Sequence, residues 1–259
     1  MSSIEVRPFR RSDREQLTWL VNAHAAAVIP GVSVSVNTVM SQLEREPREF
    51  IVDPWVSERA TFVAEQRRRV VAAAHLLRYA ADDRVSDSYR GAGEIRWFLF
   101  WPEAPYWPDS AHAASALIAS CVEQLDKWRV SREYADGTLP VPGVYGVPEQ
   151  WPHVRAIYER VGFAHDGHTE VVHIANVDEL PRLAEAPVAG LILRRSVGIN
   201  GTRLSAVRGD NVVGYIEVEA LEDARRLARN GGWADIGNLH VAAGYLARAP
   251  GRQAFLVAT

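Results

Sequence analysis

The sequence predicts an α+β fold of three layers, in which a mixed and mostly antiparallel sheet is flanked by helices. Short segments rich in β-branched and aromatic residues recur along the 259-residue chain and predict strands. Segments with apolar residues three and four positions apart lie between them and predict amphipathic helices. A further group of strand-like segments follows Pro187, so we expect the chain to hold two units.

The first unit is expected to open with a strand from Ile4 to Phe9, followed by two helices. Ser12 and Asn37 precede the two helical stripes, and both are residue types whose side-chain oxygens can accept hydrogen bonds from first-turn amides. Pro30-Gly31 and Pro47 follow the stripes and predict where the helices end.

Three strands are expected next, over residues 61–65, 70–79 and 94–101. The triplet Arg67-Arg68-Arg69 lies between the first two and predicts the turn of a hairpin. Pro102 ends the third strand, whose sequence is Glu-Ile-Arg-Trp-Phe-Leu-Phe-Trp. Apolar residues from Leu117 to Trp128 then follow the 3.6-residue period of a helix.

The last elements of the first unit surround a short helix that begins at Pro152, where a missing N–H group has no intrahelical partner to lose. A buried strand is expected before it, over Val144 to Val147, and another after it, over Thr169 to Ile174. Gly162 favours the left-handed conformation that ends helices. The buried face of this helix is predicted to carry Val154, Ile157, Tyr158 and Val161, with Phe163 packing back against the last turn.

The expected domains are residues 1–175 and 188–259, joined by a linker over 176–187 that contains two prolines and several charges. In the second domain we expect strands over 191–197, 203–207, 212–218 and 234–241, and a polar helix over 222–229. Asn200-Gly201 predicts a type I′ hairpin turn, and Gly209-Asp210-Asn211 predicts a second turn.

Strand, two helices, three strands, helix, strand, helix, strand is an element order that resembles the GCN5-related N-acetyltransferases. The segment Ile157-Tyr158-Glu159-Arg160-Val161-Gly162-Phe163 resembles the closing helix of that family, and the resemblance covers residues 4 to 175. The second domain resembles the middle of another acetyltransferase module. That module is incomplete, because it has no room for the two early helices and the sequence stops where its main helix would begin.

The resemblance implies acetyl-coenzyme A as co-substrate, bound where two central strands separate. Its pantetheine arm would follow the fourth strand at Phe98, Leu99 and Phe100, and its diphosphate would lie on a loop and helix start at Ser110, Ala111, His112 and Ala113. Small residues occupy both glycine positions of the family's loop, but Pro108 replaces its arginine or glutamine and Asp109 adds a negative charge. The alternative is that Asp109 or Ser110 is only an N-cap and that this loop binds nothing.

Two side chains are candidates for catalysis. By resemblance, Tyr158 would protonate the departing thiolate and Glu94 would relay the proton of the amine through water. The alternatives are that Tyr158 is a core aromatic residue and that Glu94 is an exposed charge at a strand end. Transfer in this family is direct, so no nucleophile is required, and Cys121 on the apolar side of its helix is expected to be inert.

Composition excludes several other classes of function. The net charge of −3 and the lack of a dense basic patch argue against nucleic-acid binding, and no apolar run has the length of a membrane helix. A single cysteine excludes an internal disulfide and favours a reducing cytoplasm. The eight histidines show no metal-ligand spacing, so no metal is expected. The cluster His153, His165, His168 and His173 is assigned to surfaces and turns, whereas His24 lies in the apolar stripe of the first helix.

Two functions remain open on the sequence. The first is an N-acetyltransferase that acts on the amine of a small molecule, with the aromatic run from Trp97 to Trp107 either walling its pocket or only packing. The second is a non-catalytic acetyltransferase-like domain that binds a ligand or a protein partner. The second domain has too little helix to cover both faces of its strands, so we expect it to pack against the first domain or against a second copy of the chain, as a homodimer.

Overall fold

The structure is a computed structural model that describes residues 3–45, 55–102, 109–141, 143–169, 171–175, 190–198, 201–220, 234–242 and 244. The described residues up to His168 form one compact unit, and those from Thr169 form another. The expected linker over 176–187 and the expected helix over 222–229 lie outside the described residues.

The first unit contains a five-stranded sheet in the order β1-β2-β3-β4-β5. All its strand pairs are antiparallel except β4 with β5, which is parallel, so the expected mixed and mostly antiparallel sheet with flanking helices is confirmed. The elements are β1 (Ile4–Pro8), a 3₁₀ turn (Arg11–Asp13), α1 (Arg14–Val28), α2 (Val36–Leu43), β2 (Val56–Gln66), β3 (Arg69–Tyr79), β4 (Gly93–Phe100), α3 (Ser110–Trp128), β5 (Glu133–Ala135) and α4 (Pro152–Arg160).

Both expected N-caps are wrong. Ser12 lies inside the 3₁₀ turn, and it is the Asp13 carboxylate that accepts from the Arg10 amide, at 2.8 Å. Asp13 also pairs with the buried guanidinium of Arg7 through contacts of 2.7 and 3.0 Å, which holds β1 against the start of α1. The cap of α2 is Ser35, whose hydroxyl accepts from the Thr38 amide at 3.1 Å.

The turn between β2 and β3 is confirmed at the arginine triplet. Gln66 pairs with Arg69, so Arg67 and Arg68 are the two central residues of a tight hairpin, with φ of 51° and 62°. Positive φ at both positions is the geometry of a type I′ turn, which normally carries Asn-Gly. Non-glycine residues in this region each cost about 1–3 kcal/mol.

The expected strand over 144–147 is wrong. Of those residues Val144 is buried, but none pairs with a described strand. The neighbour of β4 is instead β5, whose three residues are too few to show an alternating pattern in the sequence. The chain after β5 folds back tightly: a Cβ atom at Gly137 would lie 2.2 Å from the carbonyl oxygen of Gly146. Val144 is therefore buried as part of a tight loop rather than of a strand.

Helix α4 follows the prediction except at its end. Pro152 is its first residue, Gly162 has a φ of 99°, and the Phe163 amide donates to the Tyr158 carbonyl at 3.1 Å. Val161 is 39% exposed because it lies at the C-cap, so it is not part of the buried face. The described residues of the expected strand 169–174 are irregular and exposed.

The second unit is a four-stranded antiparallel sheet in the order β6-β7-β8-β9. Its strands are β6 (Ile192–Val197), β7 (Thr202–Arg208), β8 (Asn211–Ala220) and β9 (Ala234–Val241). All four strands were predicted, as was the turn at Gly209-Asp210. The other expected turn is at Asn200-Gly201, and Asn200 lies outside the described residues. Beside it, the Gly198 amide donates a hydrogen bond of 2.8 Å to the Gly201 carbonyl. That this sheet is part of a second acetyltransferase module stays a prediction.

Candidate active site

The strands β4 and β5 separate after three residues. Their parallel register ends with Ile95 opposite Ala135, and a last bond of 2.8 Å joins the Asp136 amide to the Ile95 carbonyl. Strand β4 continues to Phe100, whereas the chain after Asp136 leaves the ladder. The expected separation of central strands is therefore present, but it is formed by β5 and not by the segment at Val144.

A β-bulge in β4 lies beside this opening. Ile95 pairs with Leu76 and Trp97 pairs with His75, which leaves Arg96 without a partner in the register. Bulges bend a strand and re-aim the side chains around them, and they are common beside functional sites. Here the bulged residue carries a guanidinium group between two carboxylates.

Arg96 joins Glu94 and Asp136 at the opening. Its Nη1 atom lies 3.3 Å from Glu94 Oε1 and 3.4 Å from Asp136 Oδ2. The other carboxylate oxygen of Glu94 accepts the hydroxyl proton of Tyr79, in a buried hydrogen bond. Glu94 is only 2% exposed, so the expectation of an exposed charge at the strand end is wrong.

Burial dominates the acid–base properties of this group. Burial raises the pKa of Glu94, although the Arg96 guanidinium and the Tyr79 hydroxyl oppose the shift. Burial also raises the pKa of Tyr79, and the Glu94 charge raises it further. Burial lowers the pKa of Arg96, but Glu94 and Asp136 more than compensate, so its pKa is raised. A carboxylate whose pKa is raised binds a proton more readily than an ordinary one, which suits a proton acceptor.

Tyr158 of α4 lies at the same opening between β4 and β5. Its hydroxyl donates to the main-chain carbonyl of Asp136 at 2.9 Å, and its side chain is buried. The ring packs against Phe98, with centroids 6.0 Å apart, and against Phe163 at 5.7 Å. Burial raises the pKa of Tyr158 well above its usual value, so the hydroxyl keeps its proton. Both candidate catalytic residues thus converge on Asp136, one through its carbonyl and one through Arg96.

The β4 residues expected along the pantetheine arm have buried side chains. Phe98 and Leu99 are fully buried and Phe100 is 3% exposed, so they belong to the hydrophobic core. A ligand could reach this strand only through its main chain. Past Ile95 the main chain of β4 has no partner in β5, but the Phe100 carbonyl accepts hydrogen bonds from the His24 and His153 imidazoles, so the unpaired part of this edge lies between Ile95 and Phe100.

The start of α3 lies at the far end of β4. The Asp109 carbonyl accepts from the amides of His112 and Ala113 at 3.1 and 3.0 Å, while its carboxylate accepts from Gln66 Nε2 at 2.8 Å. Asp109 is therefore the N-cap by its backbone, but its side chain caps nothing. The Ser110 hydroxyl is 1% exposed and makes no hydrogen bond with any described residue.

The other expected coenzyme contacts surround Ser110. Ala111 is half-buried, His112 is exposed and Ala113 is fully buried. Ser110 and Ala111 occupy the first two helical positions, where main-chain amides have no intrahelical partner. These amides and the orphaned hydroxyl fit an anion. Pro108, Tyr106 and Trp107 lie outside the described residues.

Sequence reasoning missed Arg96, Asp136 and a pair of histidines. His24 of α1, which the sequence places in the apolar stripe of that helix, is 4% exposed, and its Nδ1–H donates to the Leu20 carbonyl at 2.8 Å. Its Nε2 atom lies 3.3 Å from His153 Nε2. Burial lowers the pKa of His24 to about 4 and also lowers the pKa of His153. The apolar residues around His24 were the signal for its burial.

Other sequence expectations concern metals, thiols and membranes. In the part of the chain that the structure describes, no group of three metal-ligating side chains occurs, and no helix is long and apolar enough to cross a membrane. Cys121 is fully buried, and burial raises the pKa of its thiol, so it is unreactive as predicted.

No protein-family model and no curated protein matches the sequence. Among solved structures, the chain is similar to a ribosomal-protein-alanine N-acetyltransferase from Brucella melitensis biovar Abortus 2308, with 13% identity over 67% of this chain and 100% of that chain, and a TM-score of 0.42. It is similar to an acetyltransferase of the GNAT family from Staphylococcus aureus Mu50, with 10% identity over 69% of this chain and 90% of that one, and a TM-score of 0.44. It is also similar to the aminoglycoside N-acetyltransferase AAC(6')-Iy in complex with CoA, with 12% identity over 68% and 97% of the two chains, and a TM-score of 0.41.

Proposed function

We propose that the first unit transfers an acetyl group from acetyl-coenzyme A to the amine of a small molecule. One observation carries the proposal: β4 and β5 separate after Ile95 and Ala135, with the protonated hydroxyl of Tyr158 at the point of separation. A thiolate that leaves into a buried site is costly unless a proton meets it. Tyr158 has a protonated hydroxyl at this opening and is the proton donor we propose.

The coenzyme fits the two features that flank this point. The edge of β4 between Ile95 and Phe100, which has no partner in β5, can hydrogen-bond the amide groups of a pantetheine arm, as an added strand would. The amides of Ser110 and Ala111, with the orphaned Ser110 hydroxyl and the positive end of the α3 dipole, can bind the diphosphate. The Asp109 carboxylate is held by Gln66 Nε2 of β2 and does not cap the first-turn amides.

The proposed reaction uses Glu94 and Tyr158 in opposite roles. As the amine nitrogen attacks the acetyl carbon, Glu94 accepts the proton of the amine through water, and the carbon–sulfur bond breaks. Tyr158 gives its proton to the departing sulfur. Arg96, between Glu94 and Asp136, stabilises the Glu94 carboxylate before it takes the proton.

A calorimetric titration with acetyl-coenzyme A, followed by a thiol-release assay over a panel of small amines, tests the proposal. Saturable heat and amine-dependent thiol release support it. The second candidate is a domain that binds a ligand or partner without turnover, and one observation favours it: the Tyr158 hydroxyl is already bound by a carbonyl in a buried position. Absence of heat and of a thermal shift at millimolar coenzyme would select this second function.

A further inference from the structure

The face of the first sheet opposite α3 carries the Glu94 side chain. A Cβ atom at Gly93 would lie 2.6 Å from Leu125 of α3, so Gly93 faces that helix. Side chains alternate along a strand, so Glu94 points to the other face. Tyr79, which donates its hydroxyl proton to Glu94, lies on the same face. An acceptor that reaches Glu94 therefore approaches from this side of the sheet.

Aromatic rings extend outward from Tyr79. The buried Tyr79 ring contacts the half-buried ring of Tyr89 edge to face, with centroids 5.0 Å apart. Tyr89 also contacts Trp55, with centroids 6.5 Å apart. Trp55 is 37% exposed, so the two outer rings present accessible apolar surface. Trp55 and Tyr89 are called the aromatic wall below.

Hydrogen bonds around the aromatic wall hold it in position. The Ser131 hydroxyl donates to the Arg90 carbonyl at 3.0 Å, which ties the loop that carries Tyr89 to the segment before β5. The Trp55 carbonyl accepts from the Ala80 amide at 2.8 Å. A flat apolar group can therefore pack on the wall at a small cost in ordering.

The polar groups beside the wall carry a net negative charge. Glu94 and Asp136 contribute two carboxylates, against the single guanidinium of Arg96 between them. Arg96 and Asp136 are half-buried, so both are accessible from the opening. Burial and the charges of Glu94 and Asp136 raise the pKa of Tyr89, because its hydroxyl lies in the field of both carboxylates. An ammonium group is attracted to this surplus of negative charge, and a carboxylate on the same ligand is repelled.

We propose that the acceptor is a primary amine with a flat apolar body and no carboxylate, and that its body packs on the aromatic wall. This inference rests on the proposed function, because it assigns the acceptor side of the same opening. The ammonium end approaches Glu94 and Asp136 and releases one proton to solvent, after which the free amine attacks the acetyl carbon as described above. The faces of aromatic rings favour both an aromatic body and the cation attached to it.

The test compares three acceptors in the thiol-release assay, with the full chain and acetyl-coenzyme A. Phenethylamine has a ring and no carboxylate, ethylamine lacks the ring, and L-phenylalanine adds a carboxylate beside the amine. We expect kcat/KM for phenethylamine to exceed each of the other two values by at least about tenfold, through burial of the ring and the lack of a repelled charge.

Tyr89→Leu and Trp55→Leu each remove one ring of the wall. Each variant should raise KM for phenethylamine at least about fivefold and leave kcat/KM for ethylamine unchanged, which loss of folded protein would not do. Trp55 is the more exposed residue, so Trp55→Leu provides the test if Tyr89→Leu does not fold. The matched control is Trp19→Leu, which should change neither value. Trp19 is 66% exposed and borders Arg69, at the end of β3 opposite Tyr79.

Equal kcat/KM for phenethylamine and ethylamine overturns this inference and leaves the proposed function standing. Equal values for phenethylamine and L-phenylalanine also overturn it, because the charge of the site would then not select the acceptor. An unchanged KM for phenethylamine in the wall variants, or a rise that Trp19→Leu shares, overturns the role of the wall. Absence of thiol release with every amine of the panel overturns the proposed function itself, and this inference with it.

Discussion

The hydroxyl of Tyr158 donates a hydrogen bond of 2.9 Å to the main-chain carbonyl of Asp136, the residue at which β5 leaves β4. The amide of Asp136 is fixed by Ile95, so a sheet hydrogen bond and a helix side chain hold the same residue. The position of the hydroxyl is therefore set by the main chain of the sheet. Substitution of Tyr158 therefore tests both the separation of β4 from β5 and the proposed proton donation.

Tyr158→Phe keeps the ring and its packing but deletes the proton. We expect turnover to fall by at least about tenfold, since general acids contribute about 10²- to 10⁴-fold. Coenzyme affinity should change little, and stability should fall by about 1 kcal/mol, because the Asp136 carbonyl loses its partner. Steady-state kinetics, calorimetry and thermal melting check the three values.

Tyr134→Phe is the control for this variant. The Tyr134 hydroxyl also donates to a main-chain carbonyl, that of Ser88 at 2.7 Å, but it is exposed to solvent. Tyr134→Phe should leave turnover unchanged. If Tyr158→Phe melts at a lower temperature than the natural chain but keeps full activity, Tyr158 is only a hydrogen-bonded core residue.

His112→Glu tests the start of α3 as an anion site. His112 is exposed in the first turn, so a carboxylate there should stabilise the free protein by about 0.3–1 kcal/mol through the helix dipole. The same charge should weaken coenzyme binding at least about fivefold, since like charges near 4 Å repel by about 1 kcal/mol even in water. Ala119→Glu, on an exposed position farther along α3, should leave the affinity unchanged. Unchanged affinity in His112→Glu would count against a diphosphate at this helix.

Glu94→Gln tests the proton acceptor. Because burial raises the pKa of Glu94, the activity of the natural enzyme should fall on the acid side with an apparent pKa above 4.5. The variant should lose at least about tenfold in turnover and also lose that acid limb. Glu123→Gln, at an exposed carboxylate of α3, should keep the natural pH profile. A Glu94→Gln variant with full activity and the same profile would assign Glu94 a packing role.

His24 should make stability depend on pH. Its pKa is lowered by burial to about 4 in the folded protein, from 6.5 in the unfolded chain, so the unfolded chain binds more protons between these values. The free energy of unfolding should therefore rise with pH from 4 to 6.5 and level off above 7. The full effect is roughly 3 kcal/mol, at about 1.4 kcal/mol per pKa unit. Urea denaturation at several pH values, compared with His24→Asn, measures it, and an equal slope in both proteins would contradict it.

The sequence by itself determined the elements whose signals are local. The hairpin turn at Arg67-Arg68, the strands β2 to β4, α4 from Pro152 to its left-handed Gly162, and the four strands of the second unit all follow from short-range rules. A hairpin turn is specified by about two residues, and the apolar face of a helix by about two helical turns. Each of these signals therefore fits within one short stretch of sequence. Tyr158 was chosen as a catalytic candidate because it lies in such a stretch, which resembles the closing helix of the acetyltransferases.

Only the tertiary structure decided which strand lies next to β4 and which groups meet there. Glu133–Ala135 is too short to carry a pattern, and Val144 is buried within a loop in which Gly137 lets Gly146 approach. The Arg96–Asp136 contact and the His24–His153 pair join residues 40 and 129 positions apart. Such contacts depend on how the sheet and helices pack, because the partner of each buried group is supplied by a distant element.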